Sequence, residues 1–438
     1  MADTTAPPIP SPLTAPSSRR PPRPHRLPAR FAFYLEASII VGFLAASSAP
    51  TPLYRLYQGL WGFSDLTVTV VFGVYALAVL VALLTVGSLS DHVGRRPILL
   101  AALVLQGGAL ILFIKADGVS TLIVGRIVQG LATGLAAGAV GAGMLDLDRT
   151  RGTIANAVTP MTGTAVGGLL SGLAVQYLPA PTRLIYLVLL AVVVLQVGGV
   201  LAIAETAERR AGALASLRPR FQLPPAIRRP LAVATPALIA GWALAGFYGS
   251  LGPSLVRLVS GSDSVVLGGL ALFVLAGTGA LTVLAVRDIT PSTVALAGTA
   301  ALVVGVTATL IATAARSEFG FFAATAIAGV GFGSAIQGAI RTVLPLADAE
   351  HRAGVLSVIY VISFLALGLP AVLAGVLVVH TGSVTSTASG YGIAVIVLAA
   401  GAFVGLVRRA RSGPAATRTE AAAPLLCPQQ TGPGSCAL

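Results

Sequence analysis

Two ionisable side chains stand inside otherwise apolar stretches: Glu36, in the run from Phe31 to Ala49, and Arg126, in Ile123-Val124-Gly125-Arg126-Ile127-Val128-Gln129-Gly130. A carboxyl group can take up and release a proton, whereas arginine cannot do so at accessible pH and serves as a fixed cation. A third grouping, Gly87-Ser88-Leu89-Ser90-Asp91-His92-Val93-Gly94-Arg95-Arg96-Pro97, puts an acid and two arginines between glycines and between two apolar runs. These residue types suit proton binding and the making and breaking of ion pairs. Covalent chemistry is not indicated. Cys427 and Cys436 lie in a polar tail, and His25, His92, His351 and His380 fall in loops, the arm or a helix end. No metal-ligand spacing, phosphate-binding loop or catalytic triad appears, so neither an enzyme nor a cofactor is expected.

The elements that position these residues follow from composition. Of 438 residues 55% are hydrophobic and 10% charged, with a mean hydropathy of +0.90, far more apolar than soluble domains. The chain reads as an all-α integral membrane protein. Apolar runs near the ~20 residues that cross a bilayer occur at 31–51, 66–86, 97–115, 120–145, 153–177, 184–204, 231–252, 265–286, 291–313, 319–344, 354–379 and 389–407. Twelve transmembrane helices result. Residues 1–30 read as a disordered basic cytoplasmic arm and 409–438 as a disordered cytoplasmic tail, since neither carries enough apolar residues for a core. The polar stretch 205–230, with Arg209, Arg210, Arg218, Arg220, Arg228 and Arg229, reads as a cytoplasmic linker between six-helix bundles at 31–204 and 231–408. A constant offset of 201 residues pairs Pro52 with Pro253, Gly130 with Gly331, Arg151 with Arg352 and Gly167 with Gly368, which makes the bundles two six-helix pseudo-repeats.

Each apolar run alternates the side on which the next loop falls, and 22 of the 28 Lys and Arg residues collect on the side of the termini against five on the other. By the positive-inside rule both termini face the cytoplasm. The net charge of +13 is thereby a topology signal rather than a nucleic-acid surface, and no nucleic-acid partner is expected.

The spacing G-x-L-x-D-x-x-G-R-R-x-x-L over residues 87–99 resembles the signature loop between helices 2 and 3 of the major facilitator superfamily of secondary transporters. The resemblance implies two six-helix halves with substrate held between them. It also implies that Gly87, Asp91, Gly94, Arg95 and Arg96 form a conformational latch, the acid and arginine bearing on a neighbouring helix end and biasing the outward-facing state. Glycine at 94 permits positive φ at an abrupt helix end. Arg126 and Gly130 resemble the R-x-x-x-G motif of helix 4, and the cost of an arginine in hydrocarbon directs Arg126 to the bundle interior. Gly163, Gly167 and Gly168 in the fifth run permit close helix packing. They resemble the antiporter signature of drug-efflux members, with Thr164 and Ala165 standing where that signature has Gly-Pro. Pro370 in the eleventh run is a packing or bending element. Gln129, Trp242, Tyr248 and Gln337 sit on helices that line the cavity in the resembling fold.

The reading that results is a proton-coupled exporter of a hydrophobic or cationic small molecule in the plasma or inner membrane, multi-pass and monomeric. Its partners are the substrate, protons and the lipid bilayer; Glu36 is the leading proton carrier, with Asp146 second. A proton-coupled importer of a sugar or other polar nutrient needs more polar groups within the spans, and a non-transporting receptor or scaffold of the same fold is the remaining alternative. The charge bias makes the topology testable. A reporter that works only outside the cytoplasm should be active when fused after Pro181 or Gly261 and silent when fused at Ser216; activity at Ser216 would overturn the orientation.

Overall fold

The computed structural model describes residues 28–207, 211–217, 223–348 and 351–411; the arm up to 27 and the tail from 412 lie outside the described residues. The helices of the first half are α1 (Ala29–Ser48), α2 (Pro50–Trp61), α3 (Asp65–Val86), α4 (Ser90–Val93), α5 (Arg95–Ile114), α6 (Val119–Leu147), α7 (Arg149–Tyr177) and α8 (Leu184–Ala202). A short α9 (Ala213–Ser216) lies in the connection. The second half contains α10 (Pro225–Ser250), α11 (Gly252–Ser260), α12 (Val265–Ala285), α13 (Pro291–Ala314), α14 (Glu318–Val343), α15 (Arg352–Thr381) and α16 (Val384–Arg411). Among the described residues twelve helices are long and apolar enough to cross a membrane, with α1 and α2 together forming the first.

Two differences from the hydropathy reading have local causes. The first span runs on to Trp61 and is broken at Ala49, because Pro50 and Pro52 lack the N–H groups that would continue the ladder. The seventh begins at Pro225, since Pro224 and Pro225 start a helix readily and the polar Arg228 and Arg229 occupy its first turns. Elsewhere the ends are set by capping. Ser64, Asp148 and Ser317 accept hydrogen bonds from the N–H groups of Thr67, Arg151 and Gly320 at 3.4, 2.9 and 3.2 Å, and Gly62, Gly261 and Gly382 end helices in the left-handed conformation.

Each half has its own core. One apolar cluster is drawn wholly from residues before Ile203, around Phe43, Leu53, Leu99, Leu103, Leu110 and Tyr186. Another is drawn wholly from the second half, around Phe247, Leu275, Leu302 and Phe321. Within the first half α6 lies against α3 through glycines one turn apart. A Cβ added at Gly130 would meet the Tyr75 carbonyl at 2.7 Å, one at Gly134 the Val79 carbonyl at 2.9 Å, and one at Gly138 the Gly87 carbonyl at 2.8 Å. Small residues every fourth position thus let two backbones touch, the usual basis of helix association in lipid.

The halves meet along two seams, α3 against α15 and α7 against α12. In the first, Phe72 and Ala76 pack on Leu367 and Ala371, and a Cβ at Gly73 would strike the Val372 side chain at 2.8 Å. In the second, Cβ atoms at Gly168 and Gly172 would meet the carbonyls of Gly269 and Val265 at 3.4 and 3.2 Å, and the Gln176 side-chain carbonyl accepts from Ser264 Oγ at 2.7 Å. These contacts lie in the half of the bundle away from the 87–99 loop, hereafter the far half.

The two broken spans also touch there. Pro253 has no N–H, so the Gly249 carbonyl four residues earlier has no helical partner, and Thr51 Oγ1 from the break in the first span donates to it at 2.9 Å. Thr51 is buried. Thr51→Val removes this donor while keeping the shape and strands a buried carbonyl, a loss of about 1–3 kcal/mol. In protein with Cys427 and Cys436 replaced and cysteines placed at Gln176 and Ser264, disulfide cross-linking across the far half should slow several-fold in Thr51→Val. An unchanged rate would show that the bond does not hold the halves together.

Candidate functional site

Three groups of polar side chains lie within the apolar bundle. The first surrounds the 87–99 loop. Gly94 adopts φ +110°, and its missing side chain leaves room for the Glu205 carboxylate, since a Cβ there would meet Glu205 Oε2 at 2.7 Å. That carboxylate accepts from the N–H groups of Arg95 and Arg96 at 2.8 and 3.1 Å. It caps the open N-terminus of α5, where a negative charge is favourable. The Arg95 guanidinium, only 10% exposed, bonds to Asp91, to Ser90 Oγ at 2.7 Å and through Nε to Asp146 Oδ2 at 3.2 Å. Asp146 stands at the end of α6. Arg96 turns the other way, donating to the Leu201 carbonyl and, at 3.0 Å, to the Val200 carbonyl of α8. Ser88 donates to the Ser216 carbonyl of α9 at 3.2 Å. All of these partners belong to the first half and the connection. The equivalent loop of the second half is simpler: Arg287 pairs with Asp288 at 3.2 Å, and Arg341 of α14 donates to the Val286 and Ile289 carbonyls at 3.2 and 2.9 Å.

Glu36 lies on α1 within reach of the same charges. It is 1% exposed, and its carboxyl is pressed against Gly143 of α6, where any Cβ would collide with it. Its Oε2 has no hydrogen-bond partner. Gly143 is one turn before Asp146, and the charges of Asp146, Arg95 and Glu205 all act on the carboxyl. Glu36 is therefore a buried acid beside the loop cluster.

The second group is centred on Arg126, which is 1% exposed and turned into the first half rather than toward the far surface. It donates to the Ser47 carbonyl at 2.8 Å, to Gln129 Oε1 at 2.8 Å and to Tyr54 Oη at 2.5 Å. The rings of Tyr54 and Tyr75 lie 5.8 and 5.2 Å from its guanidinium carbon, within cation–π range. Gln129 donates in turn to the Ala46 carbonyl at 3.0 Å, the group that Pro50 leaves without a helical partner, and Ser171 of α7 donates to the Ala49 carbonyl at 2.6 Å. Arg126 and Gln129 thus serve the break in the first span.

The third group is aromatic. Trp242 of α10 is half-buried, edge-on to Phe332 at 5.9 Å and near-parallel to Phe364 at 6.2 Å, beneath the seam formed by Phe72 and Ala76. Tyr248, two turns along the same helix, instead enters the core of the second half, its hydroxyl 2.8 Å from Thr325 Oγ1. Gln337 is half-buried on α14. Of the packing residues, Gly168 faces α12 of the other half. Gly163 and Gly167 face α1, where Cβ atoms would strike the backbone at Val41 and Ala45. Pro370 lies within α15, two residues from Gly368, which approaches Ala76. At the far surface a shallow groove of about 620 Å³ runs between Arg55, Gln58 and Asp65 and the ends of α15 and α16.

Sequence reading missed Glu205, Gly143 and Thr51. The signals were present but faint: an acid directly after the sixth apolar run in an otherwise basic connection, and a threonine between the two prolines of the first span.

The Arg126 cluster carries a stability test. Lysine keeps the charge but loses the planar fork, so Arg126→Lys leaves at least one of three buried acceptors unmade. This should lower stability by about 1.5–3 kcal/mol, read as a fall of several degrees in the thermal unfolding midpoint in detergent. A midpoint equal to that of the unaltered protein would show that the fork does no structural work.

Comparison with known proteins adds to this geometry. The crystal structure of the human organic anion transporter MFSD10 (TETRAN) is similar to this chain with a TM-score of 0.62 and 18% identity, over 87% of this chain and 99% of that one. At that identity the likeness extends to the fold. No curated protein matches the chain. The sequence model of the Major Facilitator Superfamily matches residues 28–304. With well over half its length inside that match, two six-helix halves and the 87–99 loop, this chain belongs to the Major Facilitator Superfamily and is a multi-pass membrane transporter.

Proposed function

We propose that the chain is a secondary active transporter that exports a hydrophobic or cationic small molecule in exchange for protons, by alternating access, from a cell membrane in which both termini face the cytoplasm. The observation that carries this reading is the distribution of contact between the halves. Each half has its own core, and the closest contacts joining the halves lie toward the far half, so the halves can rock about the far contacts without unmaking either core. With the basic loops cytoplasmic, this reading takes the arrangement as inward-facing. The organic-anion substrate of MFSD10 is a property of that protein; here the seam is lined by Phe72, Ala76, Leu367 and Ala371 with Trp242 and Phe364 beside it, a surface for an apolar solute.

Asp91, Arg95, Arg96, Gly87 and Gly94 act in this reading as the latch, with Asp146 as the helix-end partner of Arg95 and Glu205 holding the loop against the first half. Arg126 and Gln129 keep the first span bent, and Trp242, Tyr248 and Gln337 belong to the helices around the substrate. Gly163, Gly167, Gly168 and Pro370 permit the close approaches along the seams. Coupling falls to Glu36, the buried acid with an unpartnered oxygen. Proton loss there places a negative charge beside Asp146 and Arg95 and changes which acids Arg95 holds, a small bias on a two-state balance of a few kcal/mol.

In vesicles, Glu36→Gln should abolish accumulation driven by an imposed pH gradient yet leave downhill exchange within about twofold, since glutamine imitates the protonated acid. Gradient-driven accumulation at the wild-type level in Glu36→Gln would remove Glu36 from the coupling step.

A further inference from the structure

Trp242 holds a donor that nothing in the described structure uses. Its Nε1–H is buried without a hydrogen-bond partner. Buried tryptophan N–H groups ordinarily find an acceptor, and each exception calls for a reason. The contrast along α10 sharpens this, because Tyr248 two turns away has its hydroxyl paired with Thr325. A residue needed only for packing here could be phenylalanine, as its neighbours Phe332 and Phe364 are, with no orphaned donor.

The position is where the two halves converge. Phe332 of α14 and Phe364 of α15 contact the indole, Phe72 and Ala76 of α3 close over it from the first half, and Met161 of α7 joins the same apolar cluster. Five of the spanning helices meet around one unpaired N–H, and none of these neighbours is charged. The aromatic faces attract a cation, but a cation leaves the N–H unsatisfied and no acid among these neighbours would neutralise it; only an acceptor satisfies the donor. The N–H offers a hydrogen bond to an oxygen acceptor on a flat apolar body.

We propose that Trp242 is a substrate-contacting residue whose Nε1–H binds an oxygen acceptor, so that the substrate class is a planar, uncharged, apolar molecule carrying a carbonyl or equivalent acceptor. The assignment rests on the transporter reading above and selects its hydrophobic branch. In the arrangement described, the donor is covered; parting of α3 from α15 along the seam uncovers it.

The chain contains two tryptophans, Trp61 and Trp242, so ¹⁵N-indole labelling of the full-length protein in detergent gives two N–H resonances, assigned with Trp61→Phe. Three bicyclic probes of similar size separate the chemistries: coumarin, with a carbonyl acceptor; naphthalene, with none; and the cation N-methylquinolinium. Coumarin should move the Trp242 indole proton downfield while leaving Trp61 in place, and naphthalene should not. Trp242→Phe, which keeps the stacking, should weaken coumarin binding about tenfold, the worth of one hydrogen bond, and leave naphthalene binding unchanged. The assignment is overturned if coumarin leaves the Trp242 proton where it was, if Trp242→Phe binds coumarin as tightly as the unaltered protein, or if N-methylquinolinium competes with coumarin on equal terms. Failure of the transport reading is a separate result, an absence of gradient-dependent flux in vesicles; flux with a silent Trp242 resonance would sink this assignment alone.

Discussion

A membrane interior provides no water to a backbone carbonyl, and a proline provides no N–H to the carbonyl four residues before it. Much of the polar architecture here answers that constraint. The first span breaks at Ala49 and Pro50, and the freed carbonyls of Ala46, Ser47 and Ala49 are taken up by Gln129, Arg126 and Ser171 from two other helices. The seventh span breaks before Pro253, and Thr51 supplies its missing bond from across the molecule. A bent span that would be untenable alone becomes the point at which the first, fourth, fifth and seventh spans are tied together. Arg126, expensive in hydrocarbon, is retained with its two terminal nitrogens donating to neutral acceptors and its face near two tyrosine rings, while its Nε–H is left without a partner.

The loop at 87–99 solves a related problem at the other end of the bundle. Helix α5 starts with open N–H groups, and Glu205, which follows α8, closes them. Gly94 is required twice, for its positive φ and for the space its side chain would take from that carboxylate. Arg95 then distributes one buried guanidinium over Asp91, Ser90 and Asp146. Glu36 of α1 packs against Gly143 of α6, one turn before Asp146, so the buried acid lies beside the ion pairs at the end of the bundle.

The seams between halves have a different character. They are made by glycines, alanines and aromatic rings, with few polar bonds, and they occupy the far half. Contacts of this kind are broken at little polar cost, whereas the polar clusters just described lie mostly within the first half. The halves are held within themselves by polar bonds, whereas the interface is held mainly by packing, crossed by the Thr51–Gly249 and Ser264–Gln176 bonds.

How much of this the amino-acid order determined by itself is uneven. Hydropathy alone set the number of spans, because crossing hydrocarbon needs about twenty apolar residues whatever they later pack against. Pro50, Pro52 and Pro253 marked the breaks, Gly94 marked the turn, and the solitary acid and base in the spans marked themselves as needing partners. Only the tertiary structure decided what those partners are. Glu205 meets Arg95 across 110 positions, and Thr51 meets Gly249 across 198. Neither pairing has a periodicity that a linear reading could detect. The same holds for Trp242 and Tyr248, two aromatics on one helix, one at the seam with an unused donor and one in the core with a satisfied hydroxyl. Which face of α10 each occupies is fixed by the helices packed around it, since in lipid a span apolar on nearly every side carries little internal signal of the side on which its neighbours will lie.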